Sequence, residues 1–301
     1  MPPYRGDWNI IRVMITDFFE RKALSVKVRV GRRVFRNSTN SPYLSGDGFA
    51  ALCDISYHSP GEKFKLPTAE VIGKANSIFC VSHKIEEMLS AYGDAINAKV
   101  IVTGNSDRDF YSLDLELPPS ITRVYLQNSH MSGEKYRTLP IGVENIRYGK
   151  NGYKKNFDSK LASIKKKDAI LVGPFSPTHP EREELDAWHQ IRDERIFAIR
   201  KYLKTKEIAC TSAGFLYVAC PRGNGTDTHR FWETIYRGSI PVVKESNWSK
   251  SIAELGVPIL QLEQWDFEEF IWKKTDNEFL PTNPSEISSL WLGHWEKEFT
   301  S

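Results

Sequence analysis

The 301-residue sequence lacks several features that would place it in a specialised class of protein. Its four cysteines include no C-x-x-C pair, which argues against a zinc ribbon or a thioredoxin-like motif and favours reduced cysteines. The longest apolar runs, Ile78–Val81 and Gly214–Cys220, are far shorter than the ~20 residues of a membrane-spanning helix. The first residues contain no apolar segment typical of a secretory signal. We therefore expect a cytoplasmic protein.

The sequence also lacks a strong excess of charge. It holds 41 basic and 38 acidic residues, and the resulting net charge of +3 is too small to indicate nucleic-acid binding, so we expect no nucleic-acid partner. Residues 1–36 nevertheless contain nine basic and three acidic residues. We expect this segment either to touch the anionic inner face of a membrane or to form a solvated surface of a first α/β unit.

Short apolar segments alternate with helical patterns along the whole chain. The predicted strands of the first half are Val26–Val30, Phe49–Ile55, Ser77–Val81, Lys99–Thr103 and Arg123–Leu126. Those of the second half are Ala169–Val172, Phe215–Ala219, Ile240–Val243 and Pro258–Leu262. Predicted helices lie between the strands and include a long one from Pro180 to about Leu203. This alternation is typical of parallel sheets covered by helices on both faces.

A Gly-, Lys- and Asn-rich segment, Tyr148–Lys167, separates the two halves and predicts a linker. We therefore predict an α/β protein with two Rossmann-like, doubly wound domains, at residues 1–155 and 156–301. In such folds ligands bind in a crevice at the carboxyl ends of the strands. Near the chain end, Asn283 and Pro284 predict the start of a last helix covering about residues 284–301.

The most informative stretch is Tyr217–Val243, in which an apolar strand runs through a glycine-containing turn into a helix. Two glycines in the turn allow close approach of the backbone to a ligand, and the helix N-terminus favours a phosphate. Arg222 and Arg230 add cations suited to a diphosphate. Glu233 shares a helix face with Arg230 and could accept hydrogen bonds from ribose hydroxyls.

The alternative to a phosphate site is a purely structural strand-to-helix turn, with Arg230 and Glu233 forming a surface ion pair. The turn matches neither the P-loop pattern nor G-x-G-x-x-G. From the physical chemistry of the residues alone, a phosphate site and a structural turn are therefore about equally well supported.

The same stretch resembles the C-terminal signature of exostosin-like glycosyltransferases, through P-R-G-N-G-x-D-x-H-R-x-W-E followed by G-x-I-P-V-V. Phe175–Arg182 resembles the segment that opens the donor domain of that family, although Gly173 and Pro174 stand where an Asn is expected. Residues 103–107, 126–128 and 139–142 resemble N-domain motifs. The resemblance covers roughly residues 77–265, and its specific part is residues 215–243.

The resemblance implies a GT-B fold, in which the two domains face a central cleft and the C-terminal helix crosses back to the N-domain. It implies transfer of a sugar (a hexose or a pentose) from a nucleotide-sugar, a UDP-sugar by default, to a glycan or lipid-linked acceptor in surface polysaccharide or lipopolysaccharide synthesis. Inverting transfer without a cofactor or an essential metal is expected. A nucleotide-sugar epimerase of the same shape and a non-catalytic nucleotide- or glycan-binding module remain as alternatives.

The site residues come from the matched motifs, from the turn after the predicted strand Phe215–Ala219 and, for His58, from its residue type. The predicted donor-binding residues are Ser176, Thr178, Arg182, Arg222, Gly223, Asn224, Gly225, Thr228, His229, Arg230 and Glu233. The predicted acceptor-binding residues are His58 and Asn128.

Inverting transfer needs a general base, which we expect from the first domain. Asp107 follows the predicted strand Lys99–Thr103, and Asp54 follows the apolar run Phe49–Cys53. His130 and His58 have a side chain suited to accepting a proton. Any of them could equally cap a turn or be solvated. Asp107 and Asp109 spell a D-x-D pattern that could bind Mg²⁺, but we expect no metal site.

Overall fold

The computed structural model describes residues 40–57, 66–113, 116–131, 133–148, 150–277 and 283–300. The predicted strand Val26–Val30, the basic segment 1–36 and the predicted acceptor residue His58 lie outside the described residues.

The first half is built on a five-stranded parallel sheet in the order β1-β2-β3-β4-β5. Its strands are β1 Ile55–Tyr57, β2 Ser77–Val81, β3 Val100–Gly104, β4 Arg123–Gln127 and β5 Tyr136–Leu139. Its helices are α1 Gly46–Leu52, α2 Ala69–Gly73 and α3 Ile85–Tyr92. All residues of β2 and β3 are buried, which explains why these strands are uninterrupted small and apolar runs.

The predicted strand Phe49–Ile55 is wrong, because most of it forms the buried helix α1. Ser45 caps this helix by accepting a hydrogen bond from the Gly48 N–H. Periodicity cannot distinguish a short, fully buried helix from a buried strand, since all sides of both are apolar.

The second half is built on another five-stranded parallel sheet, in the order β10-β9-β8-β6-β7. Its strands are β6 Lys167–Val172, β7 Ile196–Ala198, β8 Phe215–Ala219, β9 Ile240–Lys244 and β10 Leu260–Leu262. Its helices are α4 Ser159–Ala162, α5 Pro180–Glu184, α6 Thr205–Ala213, α7 His229–Tyr236, α8 Asn247–Ala253 and α9 Phe267–Asn277. Gly238, with φ of 72°, follows α7 in the left-handed region that favours glycine.

The predicted long helix from Pro180 to Leu203 is wrong. Only α5 is α-helical, and it is followed by a 3-10 segment, Leu185–Gln190, and by β7. Trp188 is buried against Phe270, and its indole N–H donates to the Trp265 carbonyl. Tertiary packing thus overrides the local helical pattern.

The predicted last helix begins later than expected. Asn283 accepts a hydrogen bond from the Ser285 N–H, but two 3-10 turns follow before helix α10, Leu292–Thr300. Trp295 of α10 packs on Phe49 and Tyr125 of the first half, with ring centroids 5.6 and 6.0 Å apart. The last helix therefore packs against the first half.

The expected mixed α/β architecture with two parallel sheets is confirmed. The predicted domain boundary at 155/156 falls between β5 and β6, the last strand of one sheet and the first of the other. Within the described part of the chain, none of the helices is both long and apolar enough to cross a membrane.

Candidate functional site

The turn after β8, residues 220–228, lies against the loops that follow β3 and β4 of the first sheet. Asp109 holds it most firmly, since its carboxylate accepts hydrogen bonds from the Arg222 guanidinium at 2.5 Å and from the Thr226 N–H at 3.0 Å. Asp107, the predicted base, is exposed and accepts a weaker hydrogen bond from the Asn224 amide at 3.2 Å. The sequence-predicted turn and the D-x-D segment therefore meet across the two halves.

Asn128 has a different place from the predicted acceptor contact. It is fully buried, its φ is 56°, and its Oδ1 accepts the Asp227 N–H at 2.8 Å. A Cβ on Gly225 would lie 2.7 Å from the Asn128 Nδ2, so this glycine is required for the close approach. Asn128 joins the halves and has no exposed atoms for a ligand, which corrects its assignment to acceptor binding.

His130 is half-buried and faces the same turn. Its Nε2 lies 2.9 Å from the Thr226 hydroxyl, and its ring stacks on Tyr111 with centroids 4.3 Å apart. Burial lowers the pKa of His130. The Nε2 of the predicted base His130 is therefore already in a hydrogen bond with Thr226 of the turn.

Asp227 was not among the predicted site residues, yet its carboxylate is 3% exposed and central to the contact between the halves. One oxygen accepts the Ile141 N–H at 2.7 Å and the other accepts the Trp232 indole N–H at 2.8 Å. Burial raises the pKa of Asp227 to about 7, against the effect of these donors. Two sequence signals point to Asp227: it is the aspartate of the matched motif P-R-G-N-G-x-D-x-H-R, and it lies between a glycine-containing turn and a helix.

Two arginines near this turn, Arg182 and Arg230, form a cationic cluster over the ring of Phe175. The guanidinium carbons of Arg182 and Arg230 lie 6.0 and 4.9 Å from the centroid of the Phe175 ring. Neither arginine forms an ion pair with a carboxylate among the residues that the structure describes. Burial, and then the neighbouring Arg230, lower the pKa of Arg182, and burial lowers the pKa of Arg230. We call these two residues the arginine pair.

Other predicted donor residues surround the arginine pair. Arg182 donates to the carbonyls of Arg222 and Ser176 at 2.8 and 2.9 Å. A Cβ on Gly223 would lie 2.8 Å from the Arg182 Nη2 and 3.7 Å from the Thr178 hydroxyl. These predicted donor residues are therefore brought together around the turn, and the missing side chain of Gly223 leaves room for the Arg182 guanidinium.

Glu233 does not pair with Arg230, which rules out the surface ion pair of the purely structural alternative. Its carboxylate accepts from Arg237 at 3.3 Å, and the Arg237 side chain is only 3% exposed. Arg237 also donates to the Asn156 carbonyl and the Ser212 hydroxyl. Glu233 therefore balances a buried arginine one turn further along α7, and it has less freedom for a ribose than the sequence suggests.

Asp54 lies at the wrong end of the strands for its predicted role as general base, which was expected at their carboxyl ends. It precedes β1, and its carboxylate accepts the N–H groups of Asn76 and Ser77 at 2.8 and 3.0 Å. Ser77 is the first residue of β2, so Asp54 lies at the amino ends of the strands. The error follows from placing a strand where the helix α1 forms.

A polar cavity of about 320 Å³ opens beside the turn, at the carboxyl ends of the first sheet. It is lined by Gly46, Asn105, Ser106, Asp107, Gln127, Ile141, Glu144, Asn145, Tyr148 and His229. His229 Nδ1 lies 2.8 Å from the Gly142 carbonyl, and its Nε2 lies 3.6 Å from a Glu144 oxygen. The sequence predicted Asp107 and His229 but missed Glu144 and Tyr148, which belong to no recognisable motif.

The described residues contain no group of three or more His, Cys, Asp or Glu side chains arranged to hold a metal ion. Asp107 and Asp109 of the D-x-D segment both accept hydrogen bonds from the second half. Searches with the whole chain found neither a matching protein-family model nor a matching curated protein.

Proposed function

We propose that the chain is a glycosyltransferase of GT-B architecture, which transfers a sugar from a nucleotide-sugar to a glycan or lipid-linked acceptor of a surface polysaccharide or lipopolysaccharide. UDP is the default nucleotide. The observation that carries the proposal is the arginine pair: two half-buried guanidinium groups share one aromatic ring and form no ion pair with a carboxylate of the described residues.

Such a cluster is unfavourable without an anion. Desolvated charges are retained in proteins when they are paired, and two neighbouring cations also repel each other. A diphosphate supplies several acceptor oxygens and the opposite charge, and the guanidinium fork matches phosphate geometry. Binding of a diphosphate would therefore offset the free-energy cost of desolvating the two guanidinium groups and also reduce the repulsion between them.

The surroundings of the arginine pair suit a diphosphate as well. Gly223 has no side chain beside Arg182, and α7 begins next to Arg230, so its dipole favours negative charge at this end. The Thr228 hydroxyl at the start of α7 is buried and has no hydrogen-bond partner among the described residues. These groups could stabilise a leaving nucleoside diphosphate without a metal.

Calorimetry with UDP, GDP, ADP, CDP and dTDP tests the proposal, with Arg230→Met compared with Arg192→Met, a variant of an exposed arginine. We expect one diphosphate to bind the wild type and the Arg192 variant equally. Since a charge-assisted hydrogen bond contributes ~1.5–3 kcal/mol and ~1.4 kcal/mol is tenfold in affinity, Arg230→Met should raise the Kd about 10–100-fold.

Slow release of the diphosphate from the matching nucleotide-sugar should accompany this binding. A chain that binds none of the five diphosphates would contradict the proposal. Formation of a new sugar nucleotide from the donor alone would instead indicate an epimerase, and binding without any turnover would indicate a non-catalytic module.

A further inference from the structure

The 320 Å³ cavity beside the turn has the size of a small-molecule site, for which ~300–1,000 Å³ is usual. It lies next to the arginine pair along the chain, because His229 of its wall immediately precedes Arg230 in α7. We propose that this cavity binds an uncharged sugar unit of the acceptor, and that His229 Nε2 accepts the proton of the attacking hydroxyl. The proposal rests on the glycosyltransferase function proposed above.

The state of His229 follows from its hydrogen bond. A carbonyl oxygen can only accept, so the 2.8 Å contact with Gly142 requires the proton of the neutral ring to sit on Nδ1. The lone pair of the neutral ring is then on Nε2, the nitrogen nearer to Glu144. The backbone thereby fixes both the tautomer and the ring orientation that a general base needs.

Glu144 is placed to support this proton transfer. Its Oε1 accepts the Asn145 N–H at 3.1 Å and lies 3.6 Å from His229 Nε2. When Nε2 takes up a proton, the carboxylate faces a cation and stabilises it. Glu144 acts through His229 and is therefore a positioning residue.

The cavity wall indicates the chemical class of the acceptor. Its described lining contains two carboxylates, of Asp107 and Glu144, and no lysine or arginine. An anionic sugar would meet charge of its own sign there, whereas an uncharged sugar can donate hydroxyl hydrogen bonds to the carboxylates.

An aromatic ring, that of Tyr148, completes the wall of the cavity. Tyr148 is 57% exposed, and its ring is held by the Arg147 guanidinium, whose central carbon lies 4.9 Å from the ring centroid. Arg147 itself pairs with Asp47 at 2.9 Å. An exposed aromatic face at a polar cavity is suited to packing against the apolar face of a sugar ring.

The reaction balances with these groups alone. The acceptor hydroxyl oxygen forms a bond to the anomeric carbon of the donor sugar, and its proton passes to His229 Nε2. The bond between the anomeric carbon and the diphosphate oxygen breaks, and its electron pair leaves with the nucleoside diphosphate. No oxidant or reductant is required.

Glycan binding tests the sugar class. The full chain, with the nucleoside diphosphate that binds it present, is applied to immobilised neutral oligosaccharides and to uronate-, sialate- and sulfate-bearing ones. We expect binding to neutral glycans that falls at least tenfold in Tyr148→Ala and is unchanged in Trp272→Ala, a variant of an exposed aromatic on α9. Binding confined to acidic glycans, no glycan binding, or a Tyr148→Ala variant equal to wild type would overturn the proposal.

Transfer to the best-bound glycan from a panel of nucleotide-sugars that carry the matching nucleoside diphosphate tests the base. His229→Asn keeps a donor for the Gly142 carbonyl but lacks Nε2, so transfer should fall about 10²–10⁴-fold while the Kd values for that diphosphate and for the glycan stay within a few-fold. His83→Asn, a change of an exposed histidine, should leave transfer unchanged. The base assignment fails if His229→Asn keeps more than a tenth of the activity, or if the wild type transfers nothing. If none of the five nucleoside diphosphates binds the wild type, the proposed function itself has failed.

Discussion

Arg222 and Arg230 belong to one strand-turn-helix segment, yet their surroundings are opposite. Arg222 crosses to the first half and pairs with Asp109 at 2.5 Å, within the contact that also holds Asn128 and Asp227. Arg230 instead shares the Phe175 ring with Arg182 and forms no ion pair with a carboxylate of the described residues. Burial, and then Arg230, lower the pKa of Arg182. We call the first region the seam and compare it with the arginine pair.

The difference separates structural charge from charge available for a ligand. In the seam, donors and acceptors from the two halves compensate each other, so removing one partner leaves the other buried and unsatisfied. At the arginine pair neither guanidinium forms an ion pair with a carboxylate of the described residues, so removing the Arg230 guanidinium relieves desolvation and the repulsion between the two cations. The same residue type should therefore have opposite effects on stability in the two regions.

The largest expected effect is in the seam. Asp109→Ala removes the partner of Arg222 and the acceptor of the Thr226 N–H, and the Asp109 and Arg222 side chains are only 13% and 22% exposed. We expect the free energy of unfolding, measured by urea denaturation, to fall by roughly 2–4 kcal/mol. Asp107→Ala is the matched control, because Asp107 is exposed and should change stability by under about 1 kcal/mol. Equal effects of the two variants would remove the distinction.

The next effect is a pH dependence of stability that arises from Asp227 in the seam. Because the pKa of Asp227 is raised to about 7, above its unfolded value of ~3.9, its stabilising contribution is fully present below pH ~4 and is lost as pH rises through 7. The stability of wild type relative to Asp227→Asn should therefore be lower at pH 8 than at pH 5, by roughly 2–3 kcal/mol. Urea midpoints of both proteins at the two pH values measure this difference. A difference that grows in favour of wild type at pH 8 would show that the hydrogen-bond donors outweigh burial.

The smallest effect concerns the arginine pair and has the opposite sign. Arg230→Met keeps much of the side-chain volume and removes an uncompensated charge, so the ligand-free chain should gain about 1 kcal/mol of stability. Thermal denaturation without and with the matching diphosphate measures both consequences, since the variant should melt higher alone yet lose the ligand-induced rise. A loss of stability similar to that of Asp109→Ala would place Arg230 among the structural charges.

Local sequence patterns determined much of the architecture. Ser77–Val81 and Phe215–Ala219 are strands with the predicted bounds, because short apolar runs bounded by polar or turn-forming residues have few other ways to be buried. Gly238 follows α7 as predicted, since a left-handed residue there favours glycine. The errors arose at Phe49–Ile55 and after Pro180, where burial and aromatic packing outweighed the local pattern.

The sequence by itself also marked the turn after β8 and most of the residues gathered around it. Only the tertiary structure decided which charged side chains pair. Asp109 forms an ion pair with Arg222 and Glu233 forms one with Arg237, whereas Arg230 lies beside Arg182. It likewise placed Glu144 beside His229, 85 residues further along the chain, and placed Asp54 at the amino ends of the strands of its sheet. Spacing along the chain specifies which side chains share a helix face, but pairing between distant segments depends on how the two sheets pack together.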